Sequence, residues 1–300
     1  LHQQGLTFSL AILIHFISCG HDKVQISIFP NFQIKIMNNP IVKTKLPNIK
    51  NIIIVASGKG GVGKSTVAAG LALSMAMEGY SVGLMDADIY GPSIPTLFNL
   101  HNQQPSVSEM NGKPLMEPFI KFGIKIMSIG FMIDPSQAML WRGPMASNGL
   151  KQLINDTNWG ELDYLILDTP PGTGDIHITL LQQYEINGTV IVTTPQTIAL
   201  DDVRKAITMF HSEHVRVPVF GIVENMAWFT PSKHPDEKYF LFGKGGGDLL
   251  SNSTGIPLIA QIPVNENICS ACDEGRLNEL FNDKTVKSGF DNLLKGILKF

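Results

Sequence analysis

The chain has 300 residues, 44% hydrophobic and 16% charged, which fits one large α/β domain or one such domain with a small appendage. A formal net charge of −3 supplies no overall basic field, so nucleic acid is not expected as the main partner. Three cysteines are too few for a disulfide framework, and a reduced, cytoplasmic compartment is the expectation.

The first residue is Leu1, so the sequence is expected to start inside a longer reading frame or at an unusual start. Leu6 to Ser18 is apolar and ends before Cys19, which superficially suggests an exported lipoprotein. The stretch lacks a basic leader, is interrupted by His15 and is too short to span a bilayer, so a truncated packing element is the preferred reading. Residues 1–45 match no part of the pattern that follows and are read as a separate N-terminal segment, with residues 46–300 as the main domain. Asn51 to Ser57 is a β-branched run without alternation, as in a strand buried on both faces of a parallel sheet. It runs into a glycine-rich turn, after which Ser65 to Glu78 carries a helical repeat that stops at Gly79. Further strands are expected at Val82–Met85, Tyr164–Leu167, Thr189–Thr193, Val217–Val223 and Leu258–Ile262. Helices are expected at Met145–Ile154, Asp175–Tyr184 and Leu200–His211. Repeated strand–helix units imply an α/β fold, a doubly wound and mostly parallel sheet with ligands at the carboxyl ends of its strands. Between Val107 and Ile129 the Asn111-Gly112 turn signal suggests a hairpin inserted at the sheet edge.

The run GKGGVGKST, Gly58 to Thr66, completes a Walker A pattern between strand and helix. Its members Gly58, Lys59, Gly60, Gly61, Val62, Gly63, Lys64, Ser65 and Thr66 are the candidate ATP-binding residues. The glycines let backbone N–H groups face the phosphates, and the helix N-terminus adds partial positive charge. Lys64 brings a full charge to the β- and γ-phosphates, and the Ser65 hydroxyl is a Mg²⁺ ligand. Asp86 and Asp88 end one strand, and Asp168 ends another, opening DTPPGTGD. Asp168 is assigned to Mg²⁺, Asp88 to orienting the attacking water and Asp86 to a supporting place at the metal; helix capping is the plainer role for any of the three. The Pro- and Gly-rich Thr169–Gly174 suits a backbone that reorganises around a γ-phosphate.

Lys59 is not needed to cradle phosphates within one subunit, and by itself reads as a solvated loop lysine. GKGGVGKS, however, resembles the deviant Walker A motif of the MinD/ParA/nitrogenase-iron-protein class, in which the extra lysine crosses a dimer interface to the partner's nucleotide. The resemblance implies a nucleotide-sandwich homodimer. Adding DADIYGPS (Asp86–Ser93), WRGPM (Trp141–Met145), DTPPGTGD (Asp168–Asp175), VENM (Val223–Met226) and FGKGGG (Phe242–Gly247), the chain resembles the Mrp/ApbC family of iron–sulfur cluster carriers from about Asn48 to Leu280. That resemblance implies slow ATP hydrolysis, a 4Fe-4S cluster bridging the dimer and delivery to apo iron–sulfur proteins, with Asn225 as an adenine contact or, equally, a strand-end hydrogen bond.

Three departures stand out. Many members carry a CxxC between VENM and FGKGGG; here that interval has no cysteine, and His234, its only soft ligand, reads as a loop residue. Cys269 and Cys272 offer a substitute: three apart at an expected helix start, they face one side, and two copies would supply four thiolates. The plainer reading is a pair of small, semi-buried residues. Many relatives also place a small α/β domain of about 90 residues before the ATPase, of which residues 1–45 would be a remnant, with Asp22–Ile28 as its last strand and Asn38–Pro47 as a linker. Finally, Phe290, Leu293, Leu294, Ile297 and Leu298 form a helical stripe. It reads as a helix docked on the sheet in preference to a membrane-surface helix of the MinD type. The alternatives to a cluster carrier are a MinD/ParA-like positioning ATPase and a nucleotide-gated scaffold that has lost cluster transfer.

Overall fold

In the computed structural model the described residues are 25–29, 32–35 and 43–300, except 111, 133–142, 214, 232 and 235. Leu6–Ser18, Cys19, residues 22–24 of the expected strand, residues 38–42 of the expected linker, Asn111 of the turn signal and the Trp141–Arg142 part of WRGPM lie outside them. Contacts divide the chain into Leu1–Val42 and Lys43–Phe300. In the first unit, β1 (Gln25–Phe29) and β2 (Phe32–Lys35) pair antiparallel, Gln25 opposite Lys35. The second unit begins slightly before the expected boundary because Thr44 is bridged to the segment at Tyr184, its N–H donating to Gln183 O at 2.7 Å.

The second unit is built on an eight-stranded sheet. Its strands are β3 (Ile49–Ser57), β4 (Val82–Asp86), β7 (Phe119–Lys121), β8 (Ile124–Ser128), β9 (Leu162–Asp168), β10 (Gly188–Thr193), β11 (Val219–Phe229) and β12 (Leu258–Val264). The order is β12-β11-β10-β3-β9-β4-β8-β7, parallel throughout except for antiparallel β7. The apolar runs follow from this burial: Ile52 to Ala56 are all in the core, because helices cover both faces. The expected insertion resolves into two antiparallel pairs. β5 (Val107–Met110) and β6 (Lys113–Met116) form a separate ribbon, while β7 and β8 extend the main sheet.

The helices are α1 (Lys64–Met77), α2 (Ile94–Leu97), α3 (Gly143–Asn155), α4 (Asp175–Gln183), α5 (Thr197–His211), α6 (Gly246–Thr254), α7 (Glu266–Asp273) and α8 (Lys284–Ile297). α1, which follows the glycine-rich turn, is apolar nearly all round and buried accordingly. It lies against β3, β4, β9 and α8. The contact with α8 is close: a Cβ on Gly70 would sit 2.3 Å from the Phe290 ring. α8 is N-capped by Asp283, whose carboxylate accepts from the N–H groups of Thr285 and Val286. Its stripe of Phe290, Leu293, Leu294 and Ile297 is buried, and the helix rests on β12, β11 and α1. Among the described residues no helix is long and apolar enough to cross a membrane.

Phe290→Ala should cost about 3–5 kcal/mol by opening the seam over Gly70, and Asp283→Ala about 1 kcal/mol by removing the cap. Urea unfolding of the full chain measures both.

Candidate functional site

At the carboxyl end of β3 the backbone turns through Gly61 and Gly63, both with φ of 80°, a conformation that side-chain-bearing residues resist. The turn delivers α1 with its first N–H groups facing a cavity of about 290 Å³, lined by residues 59–66 with Asp88, Ser93 and Pro171. Ser57 Oγ donates to Lys59 O at 2.9 Å, and Asn225 Nδ2 donates to Val62 O at 2.8 Å. Asn225 is nearly buried and its amide nitrogen fills the space where a side chain on Gly63 would stand. It therefore braces the turn by a hydrogen bond from within β11.

Lys64 forms a buried ion pair with Asp168 Oδ1, and its ammonium also lies 3.4 Å from Ser65 Oγ. Burial raises the pKa of Asp168 and the Lys64 charge opposes that shift. Asp168 Oδ2 is buried with no hydrogen-bond partner among the described residues. Ser65 Oγ accepts from Ser93 Oγ at 2.9 Å, bringing the DIYGPS segment to the cavity wall. An orphaned carboxylate oxygen beside a serine hydroxyl is a hard-oxygen donor set, which suits Mg²⁺. Among the described residues no cluster of three or more His, Cys, Asp or Glu side chains could hold a metal by itself.

Asp86 is placed differently from Asp168. It is fully buried, with Oδ1 accepting from Asp88 N at 3.0 Å and Oδ2 from Ile94 N and Ser128 Oγ, both at 3.1 Å. Its oxygens are thus committed to the loop entering α2. Burial and the neighbouring Asp168 push its pKa up to about 8. Asp88 lines the cavity, with Oδ1 accepting from Gly91 N at 3.2 Å. Lys59 Nζ lies at the rim and donates to Gln196 Oε1 of its own chain at 3.3 Å.

The cysteines are not brought together at a surface. They are the fourth and seventh residues of α7, not its start, and Cys269 is exposed whereas Cys272 is buried. Burial pushes the Cys272 thiol up to about 11, which works against the thiolate that a cluster ligand must be. His234 lies exposed between β11 and the Tyr239 bridge, 3.6 Å from Glu237.

Two buried polar residues at this end of the sheet are not singled out by sequence reasoning. Glu224 accepts from Gly247 N at 2.7 Å and from Gln261 Nε2 at 2.6 Å, seating the FGKGGG loop; VENM contains the signal. His177 is wholly buried against Thr169 and stands just past DTPPGTGD. Desolvation and then the Lys64 charge lower its pKa to about 4.

Residues 48–298 match the family model of the ParA group described as NUBPL iron-transfer P-loop NTPase. An iron-sulfur cluster carrier protein of Aquifex aeolicus is 48% identical over 235 residues, 78% of this chain and 63% of the relative. The Pseudomonas fragi protein of the same name is 47% identical over 232 residues, 77% of this chain and 79% of the relative. The chain spans about 63% of the length of the Aquifex relative and 64% of that of a Synechocystis one. Among solved structures, a nucleotide-binding protein from Archaeoglobus fulgidus in complex with ADP aligns at 41% identity with a TM-score of 0.67, covering 77% of this chain and 89% of that one. The cell division ATPase MinD of Pyrococcus furiosus aligns at 18% identity and a TM-score of 0.58, covering 83% and 99%, a likeness of fold.

The pKa shifts give opposed pH slopes. For His177, the ordinary value is 6.5 and the folded value about 4; between them the unfolded chain binds a proton that the folded chain excludes, so stability is lost as pH falls. For Asp86, raised from 3.8 to about 8, stability is lost as pH rises through that window. The difference between wild type and His177→Leu isolates the first slope. Between pH 7 and 4 the wild type should lose roughly 3 kcal/mol relative to the variant, read from urea titrations at each pH.

Proposed function

The chain belongs to the NUBPL iron-transfer P-loop NTPase family, and from that premise we propose that it binds Mg·ATP, hydrolyses it slowly as a nucleotide-sandwich homodimer and carries iron–sulfur clusters to apoproteins. The observation that carries the nucleotide part is the Lys64–Asp168 pair set beside Ser65 at the mouth of the glycine turn. Nucleotide phosphates would draw Lys64 onto the β- and γ-oxygens, since a phosphate oxyanion competes directly with a carboxylate for the same ammonium. Asp168, released from that pairing, and the Ser65 hydroxyl would then hold Mg²⁺ together with phosphate oxygens and water. The cation supplies charge neutralisation on the transferring phosphoryl group. Asp88, on the cavity wall, would orient the attacking water, while Asp86 fixes the loop on which Asp88 stands. Lys59 of the partner subunit would add a second cation from across the interface; for that its bond to Gln196 must be exchanged.

The cluster is cargo in this reading. Cys269 and Cys272 are the thiols available in the main domain, and the exposure of Cys269 makes it the first point of capture. Holding a 4Fe-4S cluster with both thiols from two subunits would require α7 to shift and expose Cys272.

Three measurements test these parts. Lys64→Ala should weaken Mg·ATP binding at least a hundredfold, about 3 kcal/mol for a lost charged phosphate contact, as read by calorimetry. Lys59→Ala should retain ATP binding but lose ATP-dependent dimerisation and turnover; a variant that dimerises and hydrolyses normally refutes the composite site. Reconstituted with iron and sulfide, the chain should restore the visible absorbance of an apo iron–sulfur protein. Failure to load or transfer a cluster would leave a nucleotide-gated scaffold. Loading unchanged in a Cys269→Ser, Cys272→Ser double variant would remove those thiols from the ligand set.

A further inference from the structure

His177 occupies a position at odds with its chemistry. It lies in the first turn of α4, its side chain is wholly buried, and its Nδ1 has no hydrogen-bond partner among the described residues. An apolar side chain of similar volume would fill this space with no unmet lone pair. What the imidazole adds is one directed bond. Nε2 lies 3.0 Å from Thr169 Oγ1, and that hydroxyl sends its own proton to Val55 O, also at 3.0 Å. The hydroxyl is therefore the acceptor for His177, which must carry its proton on Nε2 and leave Nδ1 bare.

The bond spans a particular piece of chain. Thr169 directly follows Asp168, and the Pro- and Gly-rich segment to Gly174 leads from it into α4, where His177 N donates to Gly174 O at 3.0 Å. Midway, Gly172 N donates to Ser57 O at 2.8 Å, so the segment is stitched to the strand that enters the phosphate turn. Pro171 from the same segment lines the nucleotide cavity. His177 thus closes the base of the loop: it fastens the start of α4 to the residue next to Asp168, and through Thr169 to β3.

We propose that His177 is a positioning residue that couples the Thr169–Gly174 loop to α4, so that the loop responds to the γ-phosphate as one unit with the helix. This rests on the ATP reading of the site, and it extends that reading to a residue that touches neither nucleotide nor metal. The Thr169 hydroxyl is the other half of the device. Without the bond the loop and the helix are free to move separately, and the site discriminates less well between nucleotides with and without a γ-phosphate. Affinity for the parts shared by both nucleotides is set by the glycine turn and is unaffected.

The test uses the full chain with Mg²⁺ and measures, by calorimetry, affinity for ADP and for a non-hydrolysable ATP analogue, with ATP turnover followed in parallel. His177→Leu and Thr169→Val should each lower the ratio of analogue affinity to ADP affinity by about tenfold, while ADP affinity stays within about twofold. The double variant should lose no more than Thr169→Val alone, because Thr169→Val already removes the His177 bond together with the Thr169–Val55 bond. His177→Gln, whose amide can still donate, should recover most of the ratio. Equal weakening of both nucleotides, an unchanged ratio, or additive losses in the double variant overturns the proposal. If His177→Leu fails to fold, His177→Met, which also lacks the donor and leaves the Thr169–Val55 bond in place, takes its place. Absent turnover in the wild type refutes the proposed hydrolysis, while the affinity ratio still judges His177; a wild type that binds neither nucleotide overturns both.

Discussion

The ion pair between Lys64 and Asp168 is the constraint around which the nucleotide end of the sheet is arranged. Two charges taken out of water lose hydration that their mutual attraction only partly returns, so the pair contributes little to stability on its own account. Its effect is to hold a full positive charge at the first residue of α1, where the helix dipole is already positive, without leaving that charge unpaired. The strand order makes this possible. β3 and β9 are neighbours in parallel register, with Val55 opposite Asp168, so the end of one strand presents the acid while the other runs on into the glycine turn. A one-residue slip in that register would turn Asp168 to the other face of the sheet and strand the lysine.

Around this pair the other buried polar groups each hold one loop. Asp86 secures the approach to α2, Asn225 the phosphate turn and Glu224 the FGKGGG segment. Each replaces lost hydration with bonds to backbone N–H or C=O groups, which loops at strand ends must otherwise leave to water. The site is consequently a set of loops individually pinned to a common sheet. Its cavity is shaped mainly by backbone, as suits a ligand recognised by its phosphates.

The parts legible in the sequence are those whose signal is local. The β-branched run of β3, the glycine spacing and the helical repeat of α1 each announce themselves within a few residues, and the sheet follows from their repetition. The division of labour among the aspartates is not local. Asp86 and Asp168 both end parallel strands, but the backbone N–H groups of Asp88 and Ile94 and the hydroxyl of Ser128, remote in sequence, commit the first to a loop, whereas the second keeps a bare oxygen. Cys269 and Cys272 show the same limit: spacing puts both on one helix, whereas which of them faces the core depends on how α7 packs. His177 carried no motif of its own, because its partner Thr169 becomes meaningful only when the loop between them is seen to close.

The central place of β3 also bears on how the polypeptide reaches its native state during synthesis. Its two partners in the sheet, β9 and β10, lie more than a hundred residues downstream, and the ring that covers Gly70 belongs to Phe290. The phosphate loop therefore has no finished surroundings until the chain as far as Phe290 has left the ribosome. Until β9 and β10 emerge, a long apolar strand stands with both edges unpaired, the kind of surface that associates with other nascent chains. Such distant pairing slows folding, because loop closure precedes any reward from contact. A ligand that recognises the completed turn can stabilise this fold only after α8 has docked.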